Sequence, residues 1–244
     1  MLEVKNLSVN YVQNTSTATA LYDVSFSLER GEILGIVGES GCGKTTLMLA
    51  LLRLLPQAGR ISSGQVLYED IDILKLDDKA MAELRWDELS IVFQGAMNAL
   101  NPVRTVGEQI AEAIRRHEKE LTRDAVKARV EELLELVGIA KSRREEYPHQ
   151  YSGGMRQRAM MAMALACNPK IIIADEPTTA LDVMVQAQIL ELLDDLRDKL
   201  GLAVILVTHD LGVVAELCDS VLVLYGGVTA EYADVDTLFN APQH

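Results

Sequence analysis

The stretch Ile33-Leu34-Gly35-Ile36-Val37-Gly38-Glu39-Ser40-Gly41-Cys42-Gly43-Lys44-Thr45-Thr46-Leu47-Met48-Leu49-Ala50-Leu51-Leu52 decides the fold. Residues 33–37 form a short apolar run without alternation, the pattern of a strand buried on both faces. Residues 46–52 read as the helix that follows. Between them, Gly38 to Thr45 match Gly-x-x-x-x-Gly-Lys-Ser/Thr in full. Glycine at these positions lets successive backbone N–H groups wrap an anion, where a Cβ would block approach. Lys44 would neutralise β/γ-phosphate charge, and Thr45 would hold Mg²⁺ through its hydroxyl. Gly38, Ser40, Gly41, Cys42, Gly43, Lys44, Thr45 and Thr46 are therefore the candidate phosphate contacts.

Working outward, Ser152-Gly153-Gly154-Met155-Arg156-Gln157-Arg158 reads as a second anion-facing surface. A helix start carrying Ser and two Gly presents free N–H groups and the positive end of the helix dipole. Shortly after it comes Ile171-Ile172-Ile173-Ala174-Asp175-Glu176-Pro177, a buried parallel strand ending in two carboxylates. Ligands bind beyond the carboxyl ends of such strands. There Asp175 is placed to hold Mg²⁺, and Glu176 to polarise an attacking water.

The phosphate loop, the Ser152-Gly153-Gly154 signature and the Asp175-Glu176 strand end together resemble the ATP-binding subunit of an ATP-binding-cassette transporter. The resemblance runs over nearly the whole chain. It implies an α/β fold, a P-loop NTPase (RecA-like) core with an antiparallel β subdomain and an inserted α-helical subdomain. Residues 1–244 would be one ATPase domain: 1–94 and 159–244 the core with its β subdomain, 95–158 the helical subdomain carrying the signature. Gln94 matches the family's Gln loop, which contacts Mg²⁺ and water, so Thr45, Gln94 and Asp175 are the implied metal set. Asp182, in Ala180-Leu181-Asp182, matches its Asp loop at the dimer interface. His209 matches the switch His at the γ-phosphate, and Tyr11 the aromatic that stacks on adenine, although Tyr22 also lies upstream. Lys44, Gln94, Glu176 and His209 would carry catalysis on bound ATP and Mg²⁺. Ser152 and Gly154 of one subunit, with Gly153, would meet the γ-phosphate held by another. The implied partners are two transmembrane permeases, a second ATPase (a copy or a homologue, head to tail) and, indirectly, an extracytoplasmic solute-binding protein. The implied place is the cytoplasmic face of the inner membrane.

Phe93-Gln94-Gly95-Ala96-Met97-Asn98-Ala99-Leu100-Asn101-Pro102, Tyr147-Pro148-His149-Gln150-Tyr151 and Leu238-Phe239-Asn240-Ala241-Pro242-Gln243-His244 resemble the oligopeptide/dipeptide importer branch. Members of that branch run on into a C-terminal extension, which the resemblance implies beyond His244. Tyr151 stands where the family commonly has Leu, a mild apolar swap, and Met155 where many members have Gln, as is usual in the peptide branch. The branch also includes importers of nickel and of oligosaccharides, and soluble DNA-repair or ribosome-associated cassettes are the non-transport alternative. The compact helical insert and the acidic charge weigh against the soluble classes.

The 244 residues carry a net charge of −13, which argues against a general nucleic-acid surface. No apolar run approaches the roughly 18–20 residues that span a bilayer, and the first residues lack the apolar core of a signal peptide. Cys42, Cys167 and Cys218 have neither paired nor metal-like spacing, as expected of a reducing compartment. Cys42 lies in the phosphate loop, so a thiol reagent is expected to block nucleotide binding. His117, His149 and His244 read as surface residues. Antiparallel strands are expected in the first 92 residues, at Leu2-Glu3-Val4, Val24-Ser25-Phe26-Ser27-Leu28 and Gly64-Gln65-Val66-Leu67-Tyr68. Helices are expected over 106–116 and 123–137. The second has Val126, Val130, Leu133, Leu134 and Val137 on its core face, Thr122 as cap and Gly138 as stop.

Overall fold

The computed structural model describes residues 1–13, 16–94 and 99–244; Gly95, Ala96, Met97 and Asn98 of the branch-like stretch lie outside the described residues. The chain opens with β1 (Leu2–Gln13), β2 (Ser16–Leu28), β3 (Ile33–Val37), α1 (Lys44–Leu51), β4 (Gly59–Tyr68) and β5 (Ile71–Asp72). Next come α2 (Asp78–Asp87), β6 (Leu89–Val92), α3 (Val106–His117), α4 (Arg123–Leu136), α5 (Gly153–Ala164) and β7 (Ile171–Asp175). It continues through α6 (Val183–Leu200), β8 (Ala203–Val207), α7 (Leu211–Leu217), β9 (Ser220–Tyr225), β10 (Val228–Asp234) and α8 (Val235–Asn240). Two compact units emerge, Met1–Ala82 with Ala203–His244, and Glu83–Leu202. The expected limits of the helical insert, at 95 and 158, both fall inside the second unit.

In the first unit, β1 pairs antiparallel with β2 and β4, with Leu2 opposite both Leu28 and Tyr68. Alternation drives it: Val24, Phe26 and Leu28 are buried while Asp23 and Ser25 are exposed. The register slips between Val4 and Leu7, which lets both side chains reach the core. β5 pairs with β4, and the remaining strands of this unit lie in the order β10-β9-β3-β8. β3 is parallel to both β8 and β9, and every residue of β3 and β8 is buried. Because β3 and β8 run the same way, the segments beginning at Gly38 and at Thr208 leave one edge of the sheet, where α/β folds bind ligands.

In the second unit, β6 and β7 pair in parallel, Leu89 opposite Ile171 through Val92 opposite Ala174. The chain after Val92 and the chain after Asp175 therefore also leave one edge. Helix α3 starts with a capping box between Thr105 and Glu108. Thr122 Oγ1 caps α4 by accepting from Ala125 N, and Gly138 closes it at φ +74°. Val126, Val130, Leu133 and Leu134 form the buried stripe of α4. The buried Gln109 amide ties down the loop before α3, accepting from Asn101 N (2.8 Å) and donating to Asn101 O (3.1 Å).

Two expectations need correction. The His117 side chain is only 6% exposed, because the end of α3 brings Nδ1 to 3.1 Å from the Asp87 carboxylate. Tyr151 is more than an apolar stand-in for Leu. Fully buried, it donates its hydroxyl to Arg143 O and lies under the Arg143 guanidinium. Burial, with the Glu146 charge and against the pull of Arg143, pushes its phenol up to about 12.

Candidate nucleotide site and signature helix

The phosphate loop is held open by glycine geometry. Gly38 has φ +150°, and a Cβ there would lie 2.2 Å from Leu224 O and 2.6 Å from Cys42 Sγ. Gly43 has φ +109°, and a Cβ would strike Leu21 Cδ2 and Ala20 O. Any side chain at either position would displace β2 or β9 backbone. The Gly227 N–H donates to Cys42 O, which anchors the loop to the turn after β9. Lys44 is buried and folds back into the loop, donating from Nζ to Gly38 O (2.6 Å) and Glu39 O (2.9 Å). Those acceptors are neutral, so its charge remains available to a phosphate. Ser40, Gly41 and Thr45 are exposed beside it. A cradle of glycines around an ammonium fits a phosphate chain.

Tyr11 stands at the end of β1, half-buried, with its hydroxyl 3.3 Å from Thr46 Oγ1 on α1. Tyr22 is 63% exposed and has no such tie to α1. His209 follows β8 and is exposed. Its backbone is fixed on both sides, since the buried Thr208 Oγ1 accepts from Asp210 N and the Asp210 carboxylate caps α7. One unit thus assembles the phosphate loop, the aromatic and the histidine. Cys42 is buried, only 4% exposed as a residue. This burial limits the access of a thiol reagent to the loop.

The second unit holds the carboxylate expected to activate water. Asp175 ends β7, buried, and Glu176 follows it in a left-handed conformation at φ +42°. That conformation is costly for a residue with a side chain, and such strain clusters at functional sites. Glu176 Oε2 accepts from Gln94 Nε2 at 2.7 Å and from Thr179 Oγ1 at 2.8 Å. Two donors on one oxygen fix the carboxylate's orientation. Thr179 was not among the residues read as functional. Its signal was its place three residues after Glu176 in a Pro-Thr-Thr turn, within reach of a side chain folding back.

Ser152 caps α5, its Oγ accepting from Met155 N. Gly153 and Gly154 form the helix's first residues against α6, and a Cβ on Gly154 would come within 2.6 Å of Val185 Cγ1. Packing alone therefore calls for glycine at 154, apart from the expected anion contact. Asp182 caps α6 through Val185 N, so the expected dimer-contact carboxylate also has an internal task.

Comparison with known proteins then decides the family. A family model described as ABC transporter matches residues 21–179. The chain belongs to the ABC transporter family. It is an ATP-binding, ATP-hydrolysing cassette with a mixed α/β fold. The chain is similar to a probable peptide ABC transporter ATP-binding protein of Sinorhizobium fredii, 49% identical over all of this chain and 73% of that protein. It is likewise similar to the oligopeptide transport ATP-binding protein OppD of Bacillus subtilis, 47% identical over all of this chain and 69% of that protein. Among solved structures, a dimeric post-hydrolysis state of an ATP-binding cassette bound to ADP and Pi matches with a TM-score of 0.85. That match is 30% identical and covers 96% of this chain and 99% of the other. No helix among the described residues is long and apolar enough to cross a membrane.

Proposed function

We propose that this ABC cassette powers import of peptides through membrane-spanning permeases. The observation that carries the reading is similarity over the full chain to peptide-transport ATP-binding proteins at 47–49% identity. The intact Gln94–Glu176–Thr179 constellation supports a catalytically competent subunit.

On this reading each group has a separate task toward ATP. Lys44 exchanges its bonds to Gly38 O and Glu39 O for β- and γ-phosphate oxygens, and the loop N–H groups hold the phosphates in line. Tyr11 stacks on the adenine. Thr45, Gln94 and Asp175 offer the hydroxyl, amide and carboxylate oxygens that suit Mg²⁺, which when bound would neutralise phosphate charge. Glu176, oriented by Gln94 and Thr179, takes the proton of the attacking water. His209 donates to the transferred phosphoryl oxygen. Ser152 and Gly154, with the Asp182 segment, face the γ-phosphate of a second cassette placed head to tail, a copy or a homologue. Residues 95–158 act as the subdomain that relays opening and closing to two permeases at the cytoplasmic face of the inner membrane. A solute-binding protein delivers the peptide from outside.

Affinity purification from native membranes tests this. Recovery of two multi-spanning permeases and a peptide-loaded binding protein is expected. Recovery of only soluble partners would overturn transport, and a nickel or oligosaccharide ligand on the binding protein would overturn the cargo.

A further inference from the structure

The corner between α3 and α4, residues 115 to 127, carries a net charge opposite to that of the chain. Between residues 115 and 127 stand Arg115, Arg116, Lys119, Arg123 and Lys127 against Glu118, Glu120 and Asp124. The segment is net positive in a chain of net charge −13. All five cations are exposed. Among the described residues none of the five makes an ion pair within 4.0 Å, whereas Arg104, Arg129, Lys141, Arg143 and Arg144 of the same unit are all paired. A recess of about 640 Å³ opens at this corner, lined by Arg115, Lys119, Leu121, Arg123 and Val126 with no carboxylate. Leu121 at its tip is 37% exposed. Unpaired cations around an exposed aliphatic side chain are the chemistry of a surface that meets anionic lipid.

We propose that the α3–α4 corner rests on the bilayer itself, with Arg115, Lys119, Arg123 and Lys127 on anionic phospholipid headgroups and Leu121 entering the interface. The contact rests on the reading that this cassette works at a membrane, and it adds a direct lipid attachment to the one through permeases. The overall negative charge does not forbid it. At 0.1 M salt the Debye length is about 10 Å, so a headgroup at this corner responds to the local cations. The lipid surface also explains why these five side chains lack intramolecular partners: their counter-ions lie outside the chain.

Flotation of the full chain with phosphatidylglycerol-containing vesicles, against pure phosphatidylcholine vesicles, tests it without permeases present. At least tenfold greater retention on the anionic vesicles is expected, lost at high salt. Each cation near a charged surface is worth roughly fivefold in affinity, so K119E/R123E/K127E should lower retention by twentyfold or more. Leu121→Asp should lower it at the low salt where wild type is retained. Lys79→Glu, an exposed cation in the other unit, should leave it unchanged, and all variants should keep wild-type ATP affinity, which shows that they fold. Equal retention on both vesicles, retention on neither, or an unaffected triple variant would overturn the proposal. If flotation fails while permeases still co-purify, the lipid contact falls alone. If flotation succeeds and permeases are absent, the importer reading falls alone.

Discussion

Alanine at Gly154 should destabilise the second unit through one identifiable clash. Its Cβ would sit 2.6 Å from Val185 Cγ1, about 1 Å inside an ordinary carbon–carbon contact. Val185 lies in the first turn of α6, and a β-branched side chain in a helix has essentially one χ1 rotamer, so it cannot swing aside. Overpacking of this kind costs about 1–3 kcal/mol. Helix propensity returns up to about 1 kcal/mol on replacing glycine, so from the middle of the overpacking range, about 2 kcal/mol, the net loss is about 1–2 kcal/mol. For a chain of this size that lowers Tm by about 2–8 °C. Val185→Ala removes the atom in the way at a cost of about 1 kcal/mol for a half-buried valine. The double variant should then be more stable than the two single losses predict, by about 1–2 kcal/mol of coupling. Urea unfolding of the four proteins measures this. Stability is the readout because Gly154 is also expected to approach a partner's phosphate, so turnover would mix two effects. Strictly additive losses, or a Gly154→Ala protein as stable as wild type, would refute the packing argument.

Other perturbations probe other parts of the account. Lys44→Ala should abolish ATP binding in a fluorescence titration, and unchanged affinity would remove the phosphate-loop role from Lys44. Tyr11→Ala should weaken ATP binding about 5- to 150-fold, the span of base–aromatic stacking, while Tyr11→Phe keeps the ring and loses only the Thr46 contact; equal affinities would exclude the platform. Burial, with the Asp219 charge for Cys218 and the Asp87 and Glu118 charges for Cys167, pushes both thiols up to about 12. At pH 8 only about one part in ten thousand of either would be thiolate. Mass spectrometry should therefore find both unalkylated in the folded chain and modified after denaturation. Asp234 caps α8, and bonds from Thr237 N and Thr237 Oγ1 lower its pKa. A depressed carboxylate stabilises the fold above its unfolded value near 3.9 and loses that contribution as pH falls through the folded value. The urea midpoints of wild type and Asp234→Ala should therefore differ at pH 7 and converge below about pH 4.

Much of the candidate site is visible in linear order because several of its parts sit at the end of a buried strand. Ile33–Val37, Ile171–Asp175 and Ala203–Val207 read as apolar runs, and the groups that matter follow each one directly. Capping positions were equally legible, since Thr122 and Gly138 act locally. What the sequence hides is side-chain conformation and long-range packing. The reach of Thr179 back to Glu176 depends on a left-handed residue that no composition announces. The burial of His117 depends on Asp87, thirty positions away and in no motif. The pressure of Val185 on Gly154 is a helix–helix contact, so a glycine read as an anion contact has a steric reason as well.

The central claim is that Glu176 activates water on ATP held by the phosphate loop. It is tested most directly by measuring ATP affinity and phosphate release side by side for wild type and Glu176→Gln in membranes containing the whole complex. The amide keeps an oxygen able to accept from Gln94 and Thr179 but cannot take a proton. Binding should stay within about threefold, while release falls by at least 100-fold, the contribution expected of a general base. A Glu176→Gln complex that releases phosphate within a few-fold of wild type would contradict the account.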